Sequence, residues 1–211
     1  MLRLFLAVDL PSPVRQEVAA LRTQVNGARW VKTHQLHITL RFMGQTPDQT
    51  LAHIRDQLLR VRVPAFDLAL QGVGTFPVPP PAESPDPSAM NRGSPSPASL
   101  RSGSASSKHA RVLWLGLDPV EPLVHLKHEI DACLGPDLEH ANQDFSPHLT
   151  LARFTEKPDA TLTQFLSQHQ TYRSAHWPVN CFHLYKSTLH SDGAVHEVVA
   201  TYAFAEFCRE Q

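Results

Sequence analysis

One pattern, His-x-Thr-x, occurs twice in this chain and constrains its fold more than any other feature. The two copies are His37-Ile38-Thr39-Leu40 and His148-Leu149-Thr150-Leu151. Both copies lie in apolar, β-prone stretches, which predict strands. Because successive side chains of a strand point to opposite faces, each strand would bury its aliphatic pair and present an imidazole beside a hydroxyl. If the strands meet, one cleft holds two histidines and two threonines, a set suited to acid–base chemistry near neutral pH.

The two copies belong to an internal repeat. Leu6-Ala-Val-Asp-Leu-Pro11 precedes a predicted helix and then His37, and Trp114-Leu-Gly-Leu-Asp-Pro119 precedes another predicted helix and then His148. The spacing from the proline to the histidine is 26 positions in the first half and 29 in the second. Duplicated units of this kind are expected to pack about a pseudo-two-fold axis, which would bring the two His strands to one groove.

Hydrophobic periodicity and turn residues predict the remaining elements. Strands are expected over 3–9, 36–43, 65–76, 111–117, 148–154, 177–188 and 195–207. Helices are expected over 12–27, from Thr46-Pro47 with Leu51, Ile54 and Leu58 on one face, over 118–135 and over 158–168. The spacing of Val14, Val18, Leu21 and Val25 predicts the first helix, and Gly27 is expected to end it. Ser191-Asp192-Gly193 is expected to close a C-terminal hairpin.

Residues 77–110 differ in composition from the rest of the chain. Eight of the 18 prolines lie between Pro77 and Pro97, and a serine-rich run follows from Ser99 to Ser107. Such a segment buries too little apolar surface to offset its ordering entropy. It is therefore expected to be a disordered or loosely held insertion within one domain that spans residues 1–211.

Composition excludes several function classes. The net charge is -1, so any contact with nucleic acid must be local rather than a long electrostatic track. Three cysteines without a CxxC pair argue against a disulfide framework and favour a reducing cytoplasm. The apolar run from Leu4 to Val8 is too short for a signal peptide or a membrane span.

Seven stretches of the chain together resemble the 2H phosphoesterase superfamily, and within it the RNA 2',3'-cyclic phosphodiesterases, also called 2'-5' RNA ligases. The similar stretches are Arg3-Leu-Phe-Leu-Ala-Val-Asp-Leu-Pro11, Trp30-Val31, Leu36 to Gly44, Gly72-Val-Gly-Thr-Phe76, Arg111 to Gly116, Phe145 to Arg153 and Leu184-Tyr-Lys-Ser187. The resemblance implies an α+β fold of two pseudo-symmetric lobes. Each lobe would be an antiparallel sheet with helices on its outer face, beside a central cleft. The chain departs from the family in its long 77–110 insertion and in Leu6, where relatives can carry a second aromatic residue.

The resemblance also implies an activity and roles for individual residues. The activity is metal-independent hydrolysis of an RNA-terminal 2',3'-cyclic phosphate to a 2'-phosphate, with no cofactor. Some members run the reverse direction and join tRNA halves through a 2'-5' linkage. By resemblance His37 is the proton donor and His148 the acceptor, and Thr39 and Thr150 bind phosphate oxygens.

Four further residues are candidate substrate contacts. Arg153 stands where relatives place an arginine that contacts phosphate or base, although strict alternation would put it on the face opposite His148 unless a bulge intervenes. Phe5 and Tyr185 are candidates for base stacking, with core packing as the alternative. Strict alternation puts Arg41 on the same face of the strand as His37, where it could contact the substrate. The alternative for Arg41 is an exposed, solvated side chain.

Other functions stay open at this point. The substrate could be a small nucleoside cyclic phosphate instead of an RNA end, or the cleft could bind RNA without catalysis. Intact His and Thr in both copies argue against a pure binding module. His125 and His128 stand three apart on a predicted helix, but no third ligand lies near them in sequence, so no metal site is predicted. The protein is expected to act as a monomer, without membrane or metal partners.

Overall fold

The computed structural model describes residues 1–77, 109–135, 145–190 and 193–204. Within these ranges the strands are β1 (Leu2–Asp9), β2 (Ala28–Trp30), β3 (His37–Thr46), β4 (Phe66–Phe76), β5 (Val112–Asp118), β6 (Leu149–Phe154), β7 (Trp177–Val179), β8 (Cys181–His190) and β9 (Gly193–Ala203). The helices are α1 (Ser12–Ala20), α2 (Leu51–Leu58), α3 (Glu121–Leu134) and α4 (Ala160–His169). Short 3₁₀ turns lie at Thr33–Gln35 and Asp48–Thr50.

All the strand pairs are antiparallel, and the strands follow the order β7-β4-β5-β6-β3-β1-β8-β9, with β2 also paired to β6. Within the described ranges, the two halves of this sheet pair with each other through β3 and β6, at Ile38 and Leu149. One half contains β3, β1, β8 and β9, and the other contains β6, β5, β4 and β7. The predicted α+β class, with two similar antiparallel halves, is confirmed.

Helices α1 and α3 link the two halves. Helix α3 follows β5 of the second half, yet its Asp131 carboxylate lies 2.8 Å from the guanidinium of Arg41 on β3 of the first half. Helix α1 follows β1 of the first half, and its Glu17 accepts a hydrogen bond of 2.7 Å from the Tyr172 hydroxyl, which follows α4. The buried aliphatic residues of both helices join one continuous core with the sheet.

Several predicted boundaries were wrong. Strand β3 extends to Thr46, so α2 begins at Leu51 instead of Thr46, and β9 spans Gly193–Ala203 instead of 195–207. Helix α1 ends at Ala20 instead of Gly27, because Asn26 is held by α4: its side-chain amide donates to Asp159 at 2.7 Å and its backbone amide to Thr161 at 3.0 Å. The strand predicted over 177–188 divides at Asn180, since β7 pairs with β4 and β8 pairs with β1. The three-residue strand β2 was not predicted.

Residues 78–108, most of the predicted insertion, lie outside the described part of the chain, as do Ser191 and Asp192 of the predicted hairpin turn. The strands on either side of the insertion are neighbours. Phe76 pairs with Val112, and the Arg111 amide donates to the Phe76 carbonyl at 2.7 Å. None of the helices in the described ranges is long and apolar enough to cross a membrane.

Candidate active site

The two His-x-Thr-x strands lie side by side, and their pairing brings the motifs together. Ile38 and Leu149 are directly opposite each other and fully buried. Side chains opposite each other across an antiparallel pair share a face, and their strand neighbours point to the other face. His37 and Thr39 of β3 therefore share a face with the corresponding His148 and Thr150 of β6. The predicted burial of the aliphatic residues is confirmed.

A bulge follows each motif threonine. In β3, Thr39 pairs with Ala7 but Arg41 pairs with Leu6, so Leu40 is an extra residue. The bulge reverses the alternation of side chains. Arg41 therefore points to the core, whereas strict alternation had predicted it on the same face as His37. The Arg41 side chain is fully buried against Asp131. The next residue, Phe42, turns to the cleft and is 50% exposed.

Strand β6 contains the same bulge at the same point of its motif. Thr150 pairs with Trp114 but Ala152 pairs with Leu113, so Leu151 is the extra residue. The bulge that Arg153 needs is therefore present, and Arg153 and Thr150 line the same cavity. The pseudo-symmetry extends to the fifth residue after each histidine, which is Phe42 in one half and Arg153 in the other.

The cavity between the halves has a volume of about 720 Å³. Its lining includes His37, Thr39, Thr150, Arg153, Phe5 and Phe42. It also includes the cations Arg3 and Lys32 and no aspartate or glutamate among the described residues. Cations without acidic neighbours give this cavity a positive local field, which suits an anionic ligand even though the whole chain is nearly neutral.

The His37 imidazole is held in one orientation. Its Nδ1 lies 2.7 Å from the carbonyl oxygen of Gln35, so this nitrogen carries the hydrogen and donates it. Nε2 is then the ring nitrogen available to a substrate. Burial lowers the pKa of His37 to about 4, and the backbone hydrogen bond offsets only part of that effect.

His148 has the same hydrogen bond in the other half. Its Nδ1 lies 2.8 Å from the carbonyl oxygen of Ser146, again two residues earlier in the chain. The Phe76 ring packs edge-on against the imidazole at 5.1 Å between centroids. Burial lowers the pKa of His148 as well. In the ligand-free protein both imidazoles are therefore held mostly neutral at pH 7.

Phe5 and Tyr185 form a buried floor next to His37. Their rings stack with centroids 5.0 Å apart, and they are 3% and 8% exposed. The Tyr185 hydroxyl donates to Asp9 at 2.6 Å, and burial together with this bond raises the pKa of Tyr185. Phe5 also contacts the His37 ring at 5.0 Å between centroids. Both aromatic residues thus support the imidazole, and Phe42 offers the more exposed aromatic surface.

Sequence reasoning also missed His196 on β9. Its ring lies edge-on to His37 at 5.5 Å and to Phe5 at 5.0 Å between centroids, and it lines the cavity. The Gln35 side chain donates to the carbonyl of Ala194, which ties β9 to the turn that holds His37. No motif signals His196, because its proximity to His37 depends on the pairing of β1, β8 and β9.

No group of three or more His, Cys, Asp or Glu side chains in the described ranges is arranged to hold a metal ion. His125 and His128 are exposed on α3, and the Glu129 carboxylate lies 3.6 Å from the His128 imidazole. The chemistry that the residues of the two motifs and Arg153 can perform themselves is proton transfer by two imidazoles beside hydroxyl and guanidinium donors.

Comparisons with known proteins find relatives that cover most of the chain. The family model described as LigT like phosphoesterase matches residues 8–84, and the model described as 2'-5' RNA ligase superfamily matches residues 88–190. A Thermus thermophilus relative named RNA 2',3'-cyclic phosphodiesterase is 29% identical, with 100% of this chain and 94% of the relative covered. An Archaeoglobus fulgidus relative of the same name is 27% identical, with 93% and 97% covered.

Solved structures establish the same fold. A crystal structure of a Thermus thermophilus protein superposes with a TM-score of 0.66 at 24% identity, covering 97% of this chain and 98% of that one. The Escherichia coli LigT structure complexed with 3'-AMP also has a TM-score of 0.66, at 23% identity, covering 97% and 99%. With both motifs on adjoining strands of this fold, the chain belongs to the LigT-like phosphoesterases of the 2'-5' RNA ligase family, within the 2H phosphoesterase superfamily.

Proposed function

We propose that this protein is an RNA 2',3'-cyclic phosphodiesterase that opens a terminal cyclic phosphate to a 2'-phosphomonoester without a metal ion. The observation that carries the proposal is the pair of imidazoles held by equivalent hydrogen bonds on adjoining strands. The shared name of the curated relatives supports the substrate class.

The reaction needs an in-line water and a protonated leaving oxygen. In the proposed mechanism Nε2 of neutral His148 takes a proton from the attacking water as the new oxygen–phosphorus bond forms. Nε2 of protonated His37 donates its proton to the ribose 3' oxygen as the phosphorus–oxygen bond breaks. The family resemblance supports these two roles. The same ring opening, with the 5' hydroxyl of a second RNA in place of water and the 3' oxygen again as the leaving group, would give a 2'-5' linkage.

Thr39, Thr150 and Arg153 are proposed to bind the non-bridging phosphate oxygens. Hydroxyl and guanidinium groups donate hydrogen bonds to oxygens whose charge increases in the transition state. Their position around one cavity supports this role. Phe5 and Tyr185 are proposed to act as the floor that fixes the His37 ring, next to the bound nucleotide.

The bound phosphate has a second role, on protonation. Burial lowers the pKa of His37 to about 4, which disfavours the charged form that a proton donor needs. An anion within a few ångströms favours that charged form. The phosphate of the bound substrate therefore raises the pKa of His37 and favours the protonated form of this proton donor.

The test measures turnover of a short RNA ending in a 2',3'-cyclic phosphate, with EDTA present. Wild type should yield the 2'-phosphate, and His37→Ala and His148→Ala should each lose at least about a hundredfold in kcat, the usual scale of a lost acid–base group. His128→Ala is the matched control, because the His128 side chain is 77% exposed. It should match wild type.

A second substrate tests the separate roles. An analogue with sulfur in place of the ribose 3' oxygen leaves as a thiolate, which needs less protonation than an alkoxide. His37→Ala should lose less activity on this analogue than on the natural substrate, whereas His148→Ala should lose the same on both. The opposite pattern would exchange the roles.

Three outcomes would contradict the proposal. If EDTA abolishes the activity, the reaction requires a metal ion. If wild type binds the RNA but never opens the ring, the cleft is a binding module. If wild type opens small nucleoside cyclic phosphates but no RNA end, the substrate class is wrong.

A further inference from the structure

Two arginines face each other across β2 and β6. Arg29 of β2 is directly opposite Arg153 of β6 in the antiparallel register. Residues in such positions share a face of the sheet, and like charges directly opposite each other are destabilising. The pair therefore lowers the stability of the fold and needs another explanation.

Neither arginine is used elsewhere in the described fold. Both side chains are exposed, and no ion pair joins either of them to an acidic group in the described ranges. The packing of β2 comes from Trp30, which contacts Phe165 of α4 with ring centroids 5.7 Å apart. The two guanidinium groups are thus free to bind an external anion together.

One arginine of the pair lines the cavity of the candidate site, and the other lies outside that lining. Arg153 lines the cavity with Thr150, and Lys32, two residues after the end of β2, lines it as well. Arg29 is one strand further out, on β2. A chain of phosphates that begins in the cavity at Arg153 meets Arg29 where it leaves the cavity over β2, because Arg29 is directly opposite Arg153.

We propose that Arg29 forms a second phosphate site, which binds the next phosphate of an RNA chain whose terminal cyclic phosphate lies in the cavity. The inference rests on the proposed function and deepens it. A nucleoside 2',3'-cyclic phosphate fills only the cavity, whereas an oligonucleotide also reaches Arg29. The site thereby favours RNA ends over small cyclic nucleotides.

The experiment compares two substrates with one reactive end. One is cytidine 2',3'-cyclic phosphate, which has no second phosphate, and the other is a trinucleotide ending in the same group. Arg29→Ala should lower kcat/KM for the trinucleotide about tenfold, mainly through KM, and change that for the mononucleotide less than twofold. The slope of log(kcat/KM) against log[salt] for the trinucleotide should become shallower by about 0.7, the value for one phosphate contact on a single strand.

Two further variants serve as controls for this result. Arg153→Ala should lower kcat/KM for both substrates, because Arg153 lines the cavity. Arg60→Ala removes the same charge from an exposed position after α2 that does not line the cavity, and it should match wild type on both substrates.

The outcomes separate the two proposals. Equal effects of Arg29→Ala on both substrates, or no effect on either, would overturn the second phosphate site while turnover by wild type leaves the proposed function intact. Absence of turnover on both substrates by wild type would overturn the proposed function itself. In that case, trinucleotide affinity that Arg29→Ala leaves unchanged would overturn the second site independently.

Discussion

The two motif histidines make the same hydrogen bond but lie in different surroundings. Each donates Nδ1–H to the carbonyl two residues earlier, at 2.7 Å for His37 and 2.8 Å for His148. His37 is packed among Phe5 and His196, whereas the ring contact of His148 is with Phe76. Burial therefore lowers the pKa further at His37, and the nearly symmetric motifs become chemically distinct.

These pKa shifts predict the pH dependence of kcat/KM, which reports the free enzyme. His148 must be neutral, so activity falls as pH drops through its pKa, which lies below 6.5. His37 must be protonated, so activity also falls as pH rises above its pKa of about 4. We expect the kcat/KM optimum on the acidic side of pH 6.5, as measured by initial rates from about pH 3.5 to about pH 8.5.

The kcat profile should differ, since it reports the enzyme–substrate complex. The bound phosphate raises the pKa of both imidazoles, so the alkaline limb of kcat should lie at higher pH than that of kcat/KM. A kcat/KM that keeps increasing to about pH 8 would contradict the assignment of His37 as the acid.

His196 gives a prediction about a single side chain. Its Nδ1 is buried and makes no hydrogen bond within the described structure, which disfavours the charged ring, and burial lowers its pKa. The Nε2–H tautomer of neutral His196 has a hydrogen to donate to a substrate in the cavity. We expect His196→Phe to keep the ring contacts with His37 and Phe5 but to lower kcat/KM about tenfold, with the same melting temperature.

The His196→Ala variant is the comparison. It removes the ring as well as the nitrogen, so it should lower both kcat/KM and the melting temperature. If His196→Phe has wild-type kinetics, the ring serves only for packing and no hydrogen bond to the substrate is needed.

At the scale of the elements, the bulges at Leu40 and Leu151 decide which side chains reach the cleft. Strict alternation correctly separates the motif residues but fails soon after each motif, where Arg41 is buried and Arg153 is exposed. A bulge depends on how neighbouring strands pair, and the pairing partners of β3 and β6 are distant in sequence. The parity error was therefore unavoidable from the strand pattern alone.

Strand β4 gives a prediction at this scale. A Cβ atom at Gly74 would lie 2.3 Å from a carbon of the Trp114 indole, which packs on Phe76 at 5.2 Å between ring centroids, and Phe76 contacts His148. We expect Gly74→Ala to displace the indole, to lower the free energy of unfolding by about 1–3 kcal/mol, and to lower kcat through the shifted Phe76. Chemical denaturation and steady-state kinetics measure the two effects.

The double variant Gly74→Ala with Trp114→Phe supplies the control, because the smaller ring lacks the indole carbons that clash. Its loss of stability should be smaller than the sum of the single losses. Additive losses would mean that the two residues are not in steric conflict.

At the scale of the whole molecule, the exchange of helices between halves and the continuous core favour one folding unit. The single domain over residues 1–211 stays a prediction, as does the monomeric state. The two halves cannot separate without breaking the contacts of α1 and α3. The cavity between them is therefore fixed by the same packing that stabilises the fold.

The insertion supplies a prediction at this scale, because Phe76 and Val112 on either side of it are directly paired. Replacing residues 79–107 by a four-residue Gly/Ser linker shortens the loop between Phe76 and Val112 from 35 residues to 10, almost two halvings. At about 0.6 kcal/mol per halving, we expect a gain in stability of about 1 kcal/mol. We also expect kcat/KM to stay within about twofold of wild type, measured beside thermal melts of both proteins.

A linker of the original length made of Gly and Ser separates length from sequence. If both replacements fold but lose activity, residues 79–107 take part in catalysis or substrate binding. If only the short linker fails, the hairpin needs more chain than the pairing of Phe76 and Val112 indicates.

The sequence by itself determined the features that depend on local periodicity. Alternation around His37 and His148 separated the buried aliphatic residues from the polar faces, and the repeated order of strand, helix and His strand indicated two similar halves. These features need only the strand period of two, the helix period of 3.6 and the turn chemistry of each segment. The family resemblance supplied the candidate residues and activity.

Tertiary structure alone decided the rest. The position of His196 beside His37, the division of the chain at Asn180 and the pairing of Arg29 with Arg153 all join residues far apart in sequence. The different burial of His37 and His148 has the same origin, since it depends on which side chains from other strands cover each ring. Local patterns do not encode these contacts, because they form only when the register of the whole sheet is fixed.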